Sequence, residues 1–535
     1  MTEASSPAPA LAPAPFLRLP NELVGSICHL LPNSTIKNLR LTCRFLADKS
    51  QLRLRRVFIS PSLHDLDALR GIADHDKFRH GVEEIIWDDA TFKSIQNHEE
   101  EYPYDWISST EEEDEEEDDD EEPVPGWFAR LCKFNITCLK ARMNGAKRPD
   151  TIIRQEELDN AMSLRESFKH YQVLMQQQQD ILQIRADEDA FRYALQRFPR
   201  LKRVTVTPAA HGFLFEPLYE TPMIRNLPYG FLYPIPRGWP AADNNLDREI
   251  AEPWDSDDAS EVEKEQWHGF RIVMRILAEE QHHHVSELVF DNHRITTGIN
   301  HFAFHPPSKE YHSLCTILKR PGFRRLDLSL LMGYLTDAES EDWDIYRNQD
   351  LYKALTGAPD LEHISLQTDY QEYGYHLGGS MDEFVSLFTV FPVDHWTRLR
   401  HFGLSHVQVT QDELISFLAK LPSTLRSVEL SFLFFLQEQG NYSGLLGDIR
   451  DKLYWRDRPV NARVKICVRI VYNQHQVGRY VRLDKEVQDY VYGSGPAPFS
   501  PNGYISDGTG VQEDEFNPHW KRPYLKASVL TSLGY

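Results

Sequence analysis

Cysteine is scarce here and never paired. The six copies, Cys28, Cys43, Cys132, Cys138, Cys315 and Cys467, are scattered with no CxxC spacing. That excludes a zinc-spaced cysteine set and a disulfide scaffold, and it fits a reducing compartment. Long apolar runs are missing as well. No stretch approaches the roughly 20 residues that span a bilayer, and the N-terminus lacks the basic start and apolar core of a secretory leader. Positive charge is in deficit, with 58 Lys and Arg against 81 Asp and Glu and a formal net charge of −23. Neither nucleic acid nor an anionic membrane suits such a balance, since both need a basic footprint. Catalytic signatures are absent too: no Walker loop, GxSxG elbow or HExxH helix occurs. His282-His283-His284 follows a helical pattern, but adjacent side chains point in different directions and make a poor metal site. The expectation is a non-catalytic chain without metal or cofactor, cytoplasmic and/or nuclear.

What is present divides along the chain. A length of 535 residues with 41% apolar content implies two or more domains or one long array. Residues 1–15 are rich in Ala and Pro and read as a disordered lead. The stretch 16–60 then holds three short helical patterns. Pro20 suits a first helical turn, and Leu23, Ile27, Leu30 and Leu31 share a face. Pro32 ends that helix; Asn33, Ser34 or Thr35 is expected to cap the second, and Thr42 the third. Three helices this small bury little, so their exposed leucines suit a partner's groove.

Leu17, Leu19, Pro20, Leu23, Ile27, Leu30, Leu31, Leu39, Leu41, Cys43, Arg44 and Phe45 together resemble the F-box. The resemblance implies that these residues bind a Skp-type adaptor and, through it, a cullin ubiquitin ligase.

After expected strands at Val57-Phe58-Ile59 and Val82 to Trp87, twelve consecutive acidic residues run from Glu111 to Glu122. Charge at this density stays solvated, so 98–125 reads as a disordered insertion. Helical periodicity returns from Gln155 to Phe198, with Gln176 to Gln179 expected on a solvated turn. A repeat follows. Leu201-x-x-Val204-x-Val206 recurs from Val285, Phe323, Leu361, Leu399 and Leu425, with Val82 as an earlier copy, and the starts 285, 323, 361 and 399 are 38 residues apart. A fixed period of this size marks a solenoid of strand and returning helix. Over 61–480 the helix, proline, LxxLxL order resembles an irregular leucine-rich repeat. The fold class expected is therefore α/β, a three-helix F-box followed by a leucine-rich-repeat-like solenoid.

Within 211–260 lies an aromatic and proline-rich loop, His211 to Pro240, whose Pro222-Met223-Ile224-Arg225 and Tyr233-Pro234-Ile235-Pro236-Arg237-Gly238-Trp239-Pro240 are similar to a loop of fungal F-box proteins; it reads either as packing over the repeat edge or as a substrate clamp. Tyr442 to Tyr454 reads as a helix and Val464 to Val471 as a closing strand. Gly493 to Gly510 has linker composition, and 493–535 forms linker and tail. Because strand side chains alternate, Arg203, Thr205, Glu287, Arg325, Asp327, His363, Ser365, His401, Ser405, Ser427 and Glu429 are expected opposite the core, on a face that holds a protein substrate. The resulting expectation is a substrate receptor of a Skp/cullin/F-box ligase. Two alternatives stay open: an adaptor-binding scaffold without ligase activity, and an acidic histone-binding protein.

Overall fold

In the computed structural model, residues 18–93, 124–143, 148–240, 254, 258–332, 344–369, 384–471 and 477–524 are described. Leu17 and the acidic run Glu111 to Glu122 lie outside them.

The chain opens with α1 (Asn21–Leu30), α2 (Asn33–Thr42) and α3 (Arg44–Lys49). Their small core is Val24, Cys28 and Leu46, with Leu19, Leu39, Cys43 and Phe45 packed around it, separate from the main core. The expected caps are replaced. Pro32 and Cys43 occupy the N-cap positions of α2 and α3, and neither helix has a side-chain cap. Asn33 instead pairs with the backbone of Arg53, donating to its carbonyl at 2.7 Å and accepting from its N–H at 2.9 Å. Thr42 donates back to the Leu39 carbonyl. Helix C-termini leave carbonyls unpaired. Arginines supply the donors here: Arg53 to the carbonyls of His29 and Leu31, and Arg40 to those of Ala47 and Ser50.

Among the described residues nine strands then lie side by side in chain order, all parallel: β1 (Arg56–Ile59), β2 (Glu84–Asp88), β3 (Arg203–Thr207), β4 (Glu287–Phe290), β5 (Arg325–Leu331), β6 (His363–Thr368), β7 (His401–Ser405), β8 (Ser427–Ser431) and β9 (Lys465–Cys467), and a two-residue strand, Ile299–Asn300, pairs with the end of β5 off this path. Each LxxLxL copy supplies one of them. Their register aligns Val57, Ile85, Val204, Leu288, Leu326, Ile364, Phe402, Val428 and Ile466 in a single row. All nine are buried, so one row of the template builds a continuous seam under the helices.

The long returning helices on that seam are α4 (Leu63–Asp74), α8 (Ala186–Arg197), α9 (His268–Glu279), α10 (Lys309–Leu318), α11 (Asp350–Thr356), α12 (Gln411–Lys420), α13 (Tyr442–Lys452) and α14 (Asp484–Tyr492). Phe191, Phe270, Leu314, Leu355, Phe417, Leu445 and Val487 are their buried contributions to one core.

Between β2 and α8 the chain inserts α5 (Gly126–Met143), α6 (Pro149–Asp159) and α7 (Leu164–Ile184). The aromatic loop closes over them: Leu214, Met223, Phe231, Leu232 and Tyr233 share a second core with Trp127, Phe128, Phe168 and Tyr171. Phe231, Tyr233 and Trp239 of the loop are buried, Phe213, Phe215 and Tyr219 are half-buried, and Tyr229 is exposed. Gln178 is not solvated. It is buried and bonds both the N–H and the carbonyl of Phe92, at 2.8 and 3.0 Å.

The closing strand splits at Val468. Lys465–Cys467 ends the parallel sheet, and Arg469–Val471 (β10) begins an antiparallel sheet with β11 (Arg479–Arg482), β12 (Val511–Asp514) and β13 (Lys521–Pro523). Linker composition at 493–510 conceals a packed loop, in which Phe499 is buried and stacked on Tyr442 at 5.1 Å.

Candidate functional site

Two surfaces carry the residues that the sequence nominates. On the N-terminal helices, Pro20, Leu23, Leu30, Leu41 and Arg44 are exposed, while Leu19, Ile27, Leu31, Leu39, Cys43 and Phe45 are half-buried. Leu23 is 51%, Leu30 84% and Leu41 85% exposed. Lone exposed leucines are ordinary, but three of them on so small a module are a large share of its surface. The residues that hold it together, Val24, Cys28, Ile36 and Leu46, are ones the motif did not single out.

The second surface is the sheet face opposite the helices. Register places Glu84, Arg203, Glu287, Arg325, His363, His401 and Ser427 in one row, each about one strand spacing from the next. Neighbours pair along it. Glu84 accepts from Arg56 at 2.7 Å and from Thr205 at 2.8 Å, and Arg203 donates to Glu287 at 2.7 Å. Asp327 takes Arg325 at 3.1 Å and His363 at 2.9 Å. The rings of His363 and His401 stack at 4.0 Å and 13°, with Ser365 3.3 Å from His363 and Ser427 2.7 Å from His401. All eleven nominated residues lie on this face, but Thr205 and Ser405 are buried and the remainder half-buried.

A loop that the repeat template did not signal covers part of the face. Asp291 to Thr297 reaches across it, with His293 and Arg294 both in left-handed backbone, at φ 49° and 71°. Such a conformation costs a non-glycine residue of order 1–3 kcal/mol. Contacts hold Arg294 there: its guanidinium lies 4.3 Å over the Phe432 ring, donates to Ser405 at 3.1 Å and reaches Glu429 at 3.4 Å. Glu429 also takes Arg469 at 2.6 Å, and His293 meets Glu515 at 3.2 Å. No spacing in the sequence could reveal this, because Arg469 and Glu515 arrive from the C-terminal sheet.

Burial alone would raise the Asp327 carboxyl, yet the hydrogen bond and charge of His363, with the Arg325 guanidinium, bring it to about 2. His401 is lowered as well, which for a base favours the neutral form. Burial, reinforced by His363, lowers it to about 3, with Asp327 and Glu429 opposing and Arg325 assisting. Its folded value lies below its unfolded 6.5, so the unfolded chain takes up the proton first. Stability from this group is full above about pH 6.5 and is lost as pH falls toward 3, at up to about 1.4 kcal/mol per pH unit. Between pH 7 and 5 the His401→Gln variant should therefore lose about 2 kcal/mol less than wild type in urea unfolding. Equal losses would contradict a neutral His401.

Among the described residues no group of His, Cys, Asp and Glu is arranged to hold a metal ion, and no helix is long and apolar enough to cross a membrane. His283 is lowered to about 4, chiefly by burial.

The fold is mixed α/β with the parallel sheet and returning helices of a repeat solenoid. No family model matches the chain, and no curated protein does. Among solved structures, the leucine-rich repeat-containing protein LegL7 from Legionella pneumophila is similar over 43% of this chain and 78% of its own, at 13% identity and a TM-score of 0.20. A likeness of that size carries no argument.

Proposed function

We propose that the chain is a non-catalytic substrate receptor of a Skp/cullin/F-box ubiquitin ligase. In this reading the N-terminal helices dock the adaptor and the repeat array holds a protein target. One observation supports it above the others: Leu23, Leu30 and Leu41 stand outside a three-helix module that has its own small core. A module that leaves these leucines in water gains by burying them against a partner, at about 25 cal/mol per Å² of apolar surface covered. The array offers a polar, mixed-charge face, which suits a protein better than a uniformly charged polymer.

The test is a pull-down of the purified chain with a Skp-type adaptor. Wild type should bind, and Leu23→Asp should bind at least about tenfold more weakly, because burying an unpaired carboxylate costs several kcal/mol. Leu23 is half exposed, so the variant should melt at the wild-type temperature. Adaptor binding unchanged by Leu23→Asp would sink the assignment.

A further inference from the structure

An arginine cluster sits at the edge of the array, where the last parallel strands begin. Arg426 precedes β8, while Arg458 and Arg463 come from the short turns Trp455–Asp457 and Val460–Ala462 and the chain beside them. Arg426 and Arg458 donate to the same carbonyl, that of Leu425, at 2.8 and 3.1 Å, which forces two guanidinium groups together. Arg463 lies 5.3 Å over the Tyr492 ring and donates to the Arg456 carbonyl at 3.3 Å. Its Nε is buried without a hydrogen-bond partner. Tyr492 sits between them, its hydroxyl on the Val464 carbonyl at 2.7 Å.

Counter-charge is missing at this place. Among the described residues none of the three arginines has a carboxylate within ion-pair distance, whereas neighbouring Arg398 and Arg400 face Asp360 and Glu362 at 2.8 and 3.6 Å. Like charges held together without a counter-ion disfavour one another. The Arg458 guanidinium accordingly lies below its ordinary range, through burial first and Arg426 second. Packing on Tyr492 and Trp455 accounts for where the arginine stems run, not for why their charges converge. In a chain of net charge −23 such a gathering is out of keeping with its surroundings.

We propose that Arg426, Arg458 and Arg463 form a docking site for an acidic peptide segment of a partner protein, read through its carboxylates. Planar guanidinium groups match carboxylates in a bidentate fork. The three guanidinium groups come from the start of β8 and from two separate turns, so the positive charge extends over several segments of the edge, broader than a single small ion requires. Nucleic acid is disfavoured by the charge of the whole chain. The inference rests on the reading of the array as a protein-binding surface and not on the N-terminal helices.

The experiment is fluorescence anisotropy of a labelled octaglutamate peptide with the full chain at low salt. An octaglutamine peptide and a single-stranded oligonucleotide of equal charge serve as comparisons. The whole series is repeated on a chain lacking residues 111–122, which carry the same chemistry in cis. Octaglutamate should bind in at least one of the two backgrounds, weaken with added salt and lose at least tenfold in affinity in Arg426→Gln with Arg458→Gln. The exposed Arg426→Glu, which leaves the fold intact by its melting temperature, should reproduce the loss, while Arg426→Lys keeps part of the binding. No octaglutamate binding in either background, binding unchanged in the variants, or an oligonucleotide that binds as tightly would each overturn the proposal. Because no adaptor is present, failure here is distinguishable from failure of adaptor docking.

Discussion

Asp514→Ala should destabilise the protein by about 3–5 kcal/mol, the range expected when one partner of a buried ion pair is removed. Asp514 accepts from Arg142 at 2.7 and 2.8 Å and from Arg479 at 2.8 Å, with all three side chains at most 6% exposed. Arg142 also donates to Glu216 at 2.9 Å and rests 3.9 Å over the Phe213 ring, while Arg154 takes the other Glu216 oxygen at 2.8 Å. The network thus ties α5 and α6 to the aromatic loop and to the C-terminal sheet, segments up to 372 residues apart. Without Asp514 two guanidinium groups stay buried with half their counter-charge. The loss should therefore be local first, and trypsin should cleave near 477–524 well before the parallel sheet opens. Arg142→Met combined with Asp514→Leu should cost less than the sum of the two single changes, because the double variant strands no charge between its own two positions. Wild-type resistance in Asp514→Ala would show that the network is dispensable.

A comparable effect is expected from Asp89→Ala. Asp89 follows β2 and is 1% exposed. Its carboxylate receives the N–H groups of Gly269 and Phe270, at 2.5 and 3.2 Å, and the Trp239 indole at 2.9 Å. It therefore caps the N-terminus of α9 from another repeat and pins the end of the aromatic loop at once. Gly269 makes this approach feasible, since a Cβ there would lie 2.1 Å from Trp87 Nε1 and 2.7 Å from the carboxylate. Alanine at 89 leaves three buried donors without an acceptor, at roughly 1–3 kcal/mol each. A loss of at least about 3 kcal/mol in denaturant unfolding is expected, with Asp89→Asn intermediate because an amide retains only one acceptor oxygen. A loss below about 1 kcal/mol would mean that water replaces the carboxylate.

Much of the fold is legible in local pattern. Seven copies of one apolar template became seven consecutive strands, and prolines around Leu30-Leu31 and beyond the repeat helices stopped helices where expected. Those signals are local: alternation, helical periodicity and the missing N–H of proline act within a few residues. Capping was less legible. Asn33 and Thr42 have the right chemistry to cap, but Arg53 and Leu39 offered them other partners. Gln178 looked solvated within a glutamine run and was drawn inside by the backbone of Phe92, 86 residues away.

The sequence by itself determined the repeated strand and returning helix, the apolar seam beneath the helices and the identity of the polar row on the opposite face, because a side-chain period of two assigns every strand residue to a face without reference to anything distant. Only the tertiary structure decided what that row is free to do. Arg294, Arg469 and Glu515 came from a loop and a C-terminal sheet to occupy part of it, and Arg426, Arg458 and Arg463 converged at the edge. Long side chains choose partners by proximity in space, and charges that must be neutralised on burial find one another across hundreds of residues, a choice no spacing along the chain records.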